Sequence, residues 1–472
     1  MAGQIVNYDR FPGTNYTCYV MSVAGDYSVT QSRIGGVSPL LTDSGEILIK
    51  LDWSQLADAI GNSTTDIANS VVPSLLSTTF VPELAGKSLA EFPIHLIGHS
   101  RGGSVVTEMA RLLGMQGVWV DHVTTLDPHP VSSYGDAPVY VYENVLFADN
   151  YWQTNPDLFC PNGESTFGAY DRYLANLDNG YTCNHSDVHL WYHGTIDWID
   201  TPASDSQATI TSAERANWWT SYESGGLFAG FYYSLIGGGE RLSADEPDGV
   251  GNGQIRDGYN QIWDFGAGTA GNRYALPSNN GTWPNIVKFN ITGSNTITIG
   301  ESTGLKLFYQ YGATTNQSVN VKVFLDGDFN PYNSNDQQLF DLTYRSTGTD
   351  SVYLSDLTLD SSTNASPGTY AVYAKINDGT HSRYLYAPEL LTINPNLRPP
   401  VFDVASLIVQ TNKQFQFRLF GEIGQKVLIQ ASTNLHDWTS ISTNLFSTTN
   451  VIYLDTRAPN FRSRMYRAVL AQ

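Results

Sequence analysis

The sequence is poor in several residue classes, and each scarcity closes off a class of protein. Three cysteines in 472 residues (Cys18, Cys160 and Cys183) are too few to build a disulfide scaffold. Only 15% of residues are charged, and basic ones are the rarer sign, with 25 Lys and Arg against 45 Asp and Glu. The net charge of −20 repels phosphate backbones and anionic lipid, which argues against nucleic acid as a partner. No stretch approaches the roughly 18 consecutive apolar residues of a spanning helix, so the chain does not read as an integral membrane protein. The opening MAGQIVNYDR has neither a charged n-region nor an apolar h-region. If the protein is exported, its signal peptide is absent from this chain.

What is present suits a folded, β-rich protein. Hydrophobic residues make up 41%, and 42 Gly and 21 Pro are ordinary proportions, so disorder and collagen-like structure are excluded. Abundant Tyr and Trp, with many Ser, Thr and Asn, match the composition of extracellular proteins, and secretion is the expected location. At roughly 150 residues per domain the length suggests about three domains.

The expected fold begins with an α/β domain over residues 1–284. Gly45–Trp53, Phe92–Gly98 and Val118–Leu126 read as buried parallel strands, with continuous apolar runs rather than alternation. A helix is predicted around Asp66–Leu76. A second follows Phe92–Gly98, where Val105, Val106, Met109, Leu112 and Leu113 recur at helical spacing and Gly114 stands as a C-cap. Strand–helix–strand–helix–strand order predicts one open, mostly parallel sheet. Residues 200–284 read as long loops and short helices of the same domain. Alternating runs such as Val319–Leu325 and Gly368–Ile376 predict an immunoglobulin-like β-sandwich over 285–395. After the linker NPNLRPP, a small all-β module fills 396–472, with Lys426–Thr433 and Arg464–Leu470 as strands.

The sharpest chemical signal is GHSRGG, Gly98–Gly103. The bare pattern G-x-S-x-G is expected by chance roughly 0.3 times in such a chain, and its setting strengthens it. An apolar strand runs into it and an amphipathic helix leaves it, as a nucleophile elbow requires. Ser100 is then a nucleophile on a strained turn flanked by His99, with Gly98 and Gly102 placed where side chains would collide. The N–H of Arg101, at the helix N-terminus, is a candidate oxyanion donor. A glycine-rich strand–helix turn without chemistry is the alternative. Asp127, at the end of the next strand in TLDPHP, reaches the same sheet edge as a candidate acid; a turn or cap residue is the alternative there. NHSDVHLWYHGTID offers His185, His189 and His193 as bases.

LDWS, LIGHSRGG, TLDP and CNHS, in that order, resemble the pancreatic-lipase-type branch of the α/β-hydrolases. The resemblance covers about Ile47–Thr195. It implies an α/β-hydrolase catalytic domain followed by the two all-β domains, with Ser100 as nucleophile, Asp127 as acid and His185 as base; His189 is the rival base. No His-Gly loop for the second oxyanion donor occurs in Met1–Glu46, and Gly25 or Trp53–Ser54 are the candidates for it. No lid of the length typical of true lipases is recognisable. The C-terminal unit resembles small β modules appended to secreted bacterial enzymes.

Other constellations compete. His185, His189 and His193 are spaced to share a helix face and bind Zn²⁺, but no H-E-x-x-H pattern accompanies them. His95, His99, His122 and His129 flank the site strands, where packing or hydrogen bonding is the expected role. Asp326, Asp328 and Asn330 stand at alternate positions in LDGDFNPYNSND, like calcium-loop ligands, with an Asx-rich hairpin turn as the alternative. Asp245–Asn252 is a similar segment. Cys160 and Cys183 are placed to bridge; three free thiols are the alternative. Tyr151, Trp152, Trp191, Tyr192, Trp198, Trp218 and Trp219 divide between core and an acyl pocket.

The expected function is that of a secreted serine hydrolase, an esterase or lipase cleaving carboxylic esters, including lipid, polymeric or insoluble ones, through an acyl-enzyme. No cofactor is required, apart from a candidate structural calcium. Alternatives are a surface- or matrix-binding protein on a non-catalytic hydrolase scaffold, and a serine peptidase using the same triad.

Overall fold

A computed structural model describes residue 5 and residues 15–39, 44–58, 60–154, 160–174, 177, 183–196, 218, 230–233, 273–277, 282–312, 317–328, 330–331, 336–347, 353–361, 365–395 and 399–471. The first strand, β1 (Asn15–Val23), lies between β2 (Val29–Gly36), antiparallel to it, and β3 (Ser44–Asp52), parallel to it. Two helices follow, α1 (Ser54–Ala57) and α2 (Thr64–Leu76). A capping box starts α2: the Asp66 N–H donates to Ser63 Oγ, and the Asp66 carboxylate accepts from the Ser63 N–H.

A second, four-stranded sheet is wholly parallel, in the order β4 (His95–His99), β5 (Val120–Leu126), β6 (Val145–Trp152) and β7 (Tyr170–Tyr173). All seven residues of β5 are buried, as expected when both faces are covered. Ile67, Val71, Val105, Met109 and Leu113, from α2 and from α3 (Arg101–Met115), join a core with Val123 and Ala148. Val188, Trp191 and Tyr192 of α4 (Asn184–Gly194) pack with Leu126, Phe147 and Tyr151 in another. The predicted C-cap Gly114 lies inside α3, where a Cβ would meet the Asn144 side chain at 2.5 Å. The helix ends one residue later, at Met115. Gly117, at φ 83°, donates to Gly114 O, and Val118 donates to Leu113 O, a pair of bonds that satisfies the last carbonyls.

The expected fold class, an α/β-hydrolase domain with one open sheet, is overturned, and so is the pancreatic-lipase-like assignment. Only four α-helices occur among the described residues, against 21 strands in six separate sheets, so the chain is mostly β. The physical reason lies in edge pairing. β3 takes β1 as its partner, β4 takes β5, and the strands that read as one sheet belong to two. The ground for naming the chain a hydrolase, a lipase or an α/β-hydrolase goes with that fold. What holds is the multidomain β character.

From Pro284 onward the regular structure of the described residues is strand, apart from short helical turns. β8 (Pro284–Ile291), β10 (Ser302–Tyr311) and β13 (Tyr353–Asp360) form a sheet in the order β13-β10-β8. β9 (Thr296–Thr298), β11 (Ser318–Asp326), β12 (Gln337–Arg345), β14 (Gly368–Asn377) and β15 (Ser382–Asn394) form another in the order β12-β11-β14-β15-β9. β16 (Val401–Val409), β17 (Phe415–Phe420) and β20 (Asn450–Asp455) make one small sheet; β18 (Lys426–Ser432), β19 (Thr439–Leu445) and β21 (Met465–Leu470) make the other. Phe417, Leu419, Val427, Ile429 and Phe446 form the core of this last region.

Two compact units result. One comprises Met1–Thr292, Leu305–Leu357 and Tyr370–Leu390; the other comprises Gly293–Gly304, Thr358–Thr369 and Leu391–Gln472. Long-range polar bonds run through the first unit. Asn285 Nδ2 donates to Gly117 O (2.8 Å) and its Oδ1 accepts from the Trp119 N–H (3.1 Å). Arg383, almost fully buried, donates to Ala90 O (2.6 Å), Trp119 O (2.7 Å) and Asp121 Oδ2 (3.1 Å). No helix among the described residues is long and apolar enough to cross a membrane.

Candidate active site

The tip of β4 turns sharply into α3, and Ser100 occupies that turn at φ 56° and ψ −127°. A non-glycine residue at positive φ is strained and persists only where its surroundings hold it. Here the Ser100 N–H donates to Leu126 O (3.0 Å), and Ser100 O accepts from the N–H groups of Gly103 (2.9 Å) and His129 (3.2 Å). A Cβ on Gly98 would lie 2.1 Å from Gly102 O, and one on Gly103 2.8 Å from Pro128 Cβ. Gly102, expected to be sterically required, has nothing within 4 Å of such a Cβ; Gly103 is the constrained position.

Asp127 directly follows β5 at φ 45°, fully buried. Its Oδ1 accepts from the Gln153 N–H (2.8 Å), and its Oδ2 accepts from Gln153 Nε2 (2.7 Å) and His185 Nδ1 (2.5 Å). The carboxylate cannot donate when ionised, so His185 carries its proton on Nδ1 and leaves Nε2 as the basic nitrogen. Gly163 lies against this carboxylate: a Cβ there would meet Asp127 Oδ1 at 2.0 Å. Ser100, Asp127 and His185 are thus held at one end of the parallel sheet by β4, β5 and α4. No hydrogen bond joins Ser100 Oγ to His185.

The Arg101 guanidinium is clamped. It donates to both Asp136 carboxylate oxygens (2.7 Å each), to Asn62 O (2.7 Å) and to Ala57 O, and it lies over the Trp53 ring (5.1 Å) and the Tyr134 ring (4.7 Å). This fixes the first residue of α3, whose N–H has no acceptor in the helical pattern and is available to an oxyanion. Two of the candidates for a second donor are engaged elsewhere. Gly25 N–H donates to Gln55 Oε1 (3.0 Å) and Ser54 N–H to Asp52 Oδ1 (3.1 Å).

The other histidines are largely explained. His189, the rival base, lies a turn further along α4, and burial lowers its pKa. His185, His189 and His193 do not gather as a metal-ligand group among the described residues. His99 Nε2 bonds to the His185 carbonyl oxygen (2.7 Å), and His129 Nδ1 to Asn162 O (2.8 Å). Sequence reasoning missed a second buried His–Asp pair. His122 Nε2 meets Asp149 Oδ1 at 2.9 Å, Tyr151 Oη donates to Asp149 Oδ2 (2.9 Å), and the His95 ring stacks on His122 at 3.8 Å. No spacing in the sequence signals it, because the parallel register that sets His95 opposite His122 belongs to the fold.

Cys160 and Cys183 are joined by a disulfide, and Cys18 is a buried free thiol. Cys183 is the N-cap of α4, two residues before His185. Tyr151, Trp191, Tyr192 and Trp218 are core residues, and Trp152 donates to Asp171 (2.9 Å). Trp198, Trp219 and Asp245–Asn252 lie outside the described residues.

Far along the chain, one ligand atom from each of Asp326, Asp328 and Asp336 lies within 4.8 Å of the others. Asp326 Oδ1 accepts from the Asp328 N–H (2.8 Å) and Asp328 Oδ1 from the Asn330 N–H (3.1 Å), the bonds of an Asx turn. Tyr386 Oη donates to Asp326 Oδ2 (2.7 Å) and Tyr373 Oη to Asp336 Oδ2 (2.8 Å). Burial, then the neighbouring Asp328 charge, pushes Asp336 up to about 6. Asp336 was not among the residues the sequence singled out. It fits a hard cation better than the amide of Asn330.

No protein family matches the chain, and no curated protein does. Among solved structures, the CARDB domain of the PF1109 protein from Pyrococcus furiosus, in complex with di-metal ions, is 12% identical with a TM-score of 0.17, covering 24% of this chain and 97% of its own. The C-terminal domain of wzt is 10% identical with a TM-score of 0.19, covering 24% of this chain and 75% of its own. A β-glucosidase from Listeria innocua is 9% identical with a TM-score of 0.18, covering 24% of this chain and 16% of its own. At such scores the likeness carries no argument about this chain's activity.

Proposed function

We propose that the chain cleaves carboxylic esters through Ser100, His185 and Asp127. His185 Nε2 takes the Ser100 proton as Oγ adds to the ester carbonyl, while Asp127 holds the imidazole by Nδ1 and stabilises its charged form. The Arg101 N–H receives the oxyanion. Collapse of the tetrahedral adduct breaks the C–O bond, and the leaving alcohol takes the proton from His185. Water then repeats the sequence on the acyl-enzyme and releases the acid. The observation that supports this reading most is the 2.5 Å bond between Asp127 and His185, 58 residues apart, beside a serine at positive φ. Labelling with a fluorophosphonate, located by mass spectrometry at Ser100, tests it. An unlabelled Ser100 in folded protein would reject it.

The missing Ser100–His185 bond and the engaged Gly25 and Ser54 donors favour a second reading, a surface- or matrix-binding protein whose triad is a relic. Turnover of a p-nitrophenyl ester, lost in Ser100→Ala, separates the two. In the first reading the protein is secreted, and its β regions hold it on a lipid or insoluble polymeric ester. Asp326, Asp328 and Asp336 hold Ca²⁺ in this proposal, since three carboxylates with oxygen-only chemistry suit that ion.

A further inference from the structure

The rings of His99, His185 and His189 lie against one another at the proposed site, and His99 joins the nucleophile's strand to the base's helix. His99 precedes Ser100 on β4, and its Nε2 lies 2.7 Å from the backbone oxygen of His185. A carbonyl only accepts, so His99 carries its proton on Nε2 and donates it. The His99 ring also packs at 4.6 Å against the His185 ring and at 5.2 Å against that of His189. The α-helical pattern already supplies the His185 carbonyl with the His189 N–H. The His99 bond is therefore additional to what the helix needs, and its effect is to fix where the first turn of α4 stands relative to Ser100.

We propose that His99 is a positioning residue, which sets the reach between Ser100 Oγ and His185 Nε2 by tethering the backbone of the base to the strand of the nucleophile. The inference rests on the reading of Ser100 and His185 as nucleophile and base. Burial, and then the neighbouring His185, holds the His99 ring neutral, down to about 3. It therefore adds no charge beside His185 when that residue takes the serine proton. A lysine or arginine there would supply a donor but would oppose the imidazolium.

The test compares substitutions that separate the donor from the ring. Glutamine places its amide nitrogen at the reach of Nε2, asparagine places it short, and phenylalanine keeps the ring volume without a donor. With a p-nitrophenyl ester, His99→Phe and His99→Asn should lower kcat about 30- to 100-fold with KM within about threefold, because a small displacement of aligned groups is costly. His99→Gln should stay within about fivefold of the wild type. Fluorophosphonate labelling of Ser100 should slow in the same order. If His99→Phe does not fold, His99→Gln against His99→Asn carries the comparison. Equal losses for glutamine and asparagine, a change confined to KM, or unchanged rates would overturn the positioning role while wild-type labelling at Ser100 left the triad standing. Absence of wild-type labelling would overturn both.

Discussion

Strands β5 and β16 reverse the usual relation between polarity and burial. All of β5 is buried, yet it carries Asp121, His122, Thr124 and Thr125. β16 is largely exposed, yet Val401, Val404, Ile408 and Val409 are 63, 79, 49 and 69% accessible. A parallel strand covered on both faces can keep polar side chains only if each finds a partner, and His122 and Thr125 find theirs on β6. Apolar groups in water carry no such obligation, and scattered exposed ones are normal. Substitutions at the two strands, and in the regions around them, should therefore differ sharply in consequence.

The largest effect expected is on chemistry. Ser100→Ala should lower ester turnover by about 10³-fold or more while leaving the unfolding midpoint unchanged, measured by p-nitrophenyl ester assay and thermal melt. Next comes the charge that Asp121 brings into the buried strand. Arg383→Met removes its cationic partner and should cost about 3–5 kcal/mol in urea denaturation. A loss below about 1 kcal/mol would mean that the charge is tolerated without the arginine. Converting Cys160 and Cys183 to serine should cost about 3 kcal/mol, from the 23-residue separation that the bond closes.

A smaller effect is expected at the acidic cluster. Asp336 is raised from 3.8 to about 6 in the folded state, so the folded chain binds the extra proton. That contribution to stability is complete below about pH 3.8 and is lost as the pH rises through about 6. In chelator the melting temperature should therefore fall across this window, and Ca²⁺ should offset the fall; an identical profile with and without Ca²⁺ would remove the cation. Smallest of all, Ile452→Thr, at a position 56% exposed in the C-terminal sheet, should change stability by no more than about 0.5 kcal/mol.

What the sequence made legible was local. The elbow at Gly98–Gly103 depends on neighbours in the chain, and the buried run of β5 and the alternation of β11 follow from residues within one strand. The sequence leaves a Cys160–Cys183 bridge open against three free thiols, and His185 open against His189, because conspicuous residue types name candidates without choosing their partners. The partition of the strands could not be read. Whether β3 pairs with β1 or with β4 depends on edges brought together by the rest of the fold, and strand–helix alternation does not encode it. The Arg383–Asp121 pair, 262 residues apart, left no pattern either. Asp336 was obscured because the even spacing of Asp326, Asp328 and Asn330 drew the ligand set too early.

Gly163 belongs to no motif, and no spacing rule points to it. Yet every side chain other than hydrogen would place carbon 2.0 Å from Asp127 Oδ1, which leaves this position as little freedom to vary as Ser100 itself. In a library randomised along residues 160–166 and screened for ester turnover, codon 163 should retain glycine alone, while its exposed neighbours Asn162 and Glu164 accept replacements. Mutational tolerance around this site would then follow contact with the carboxylate, and a residue with no reactive group would be among the slowest to change.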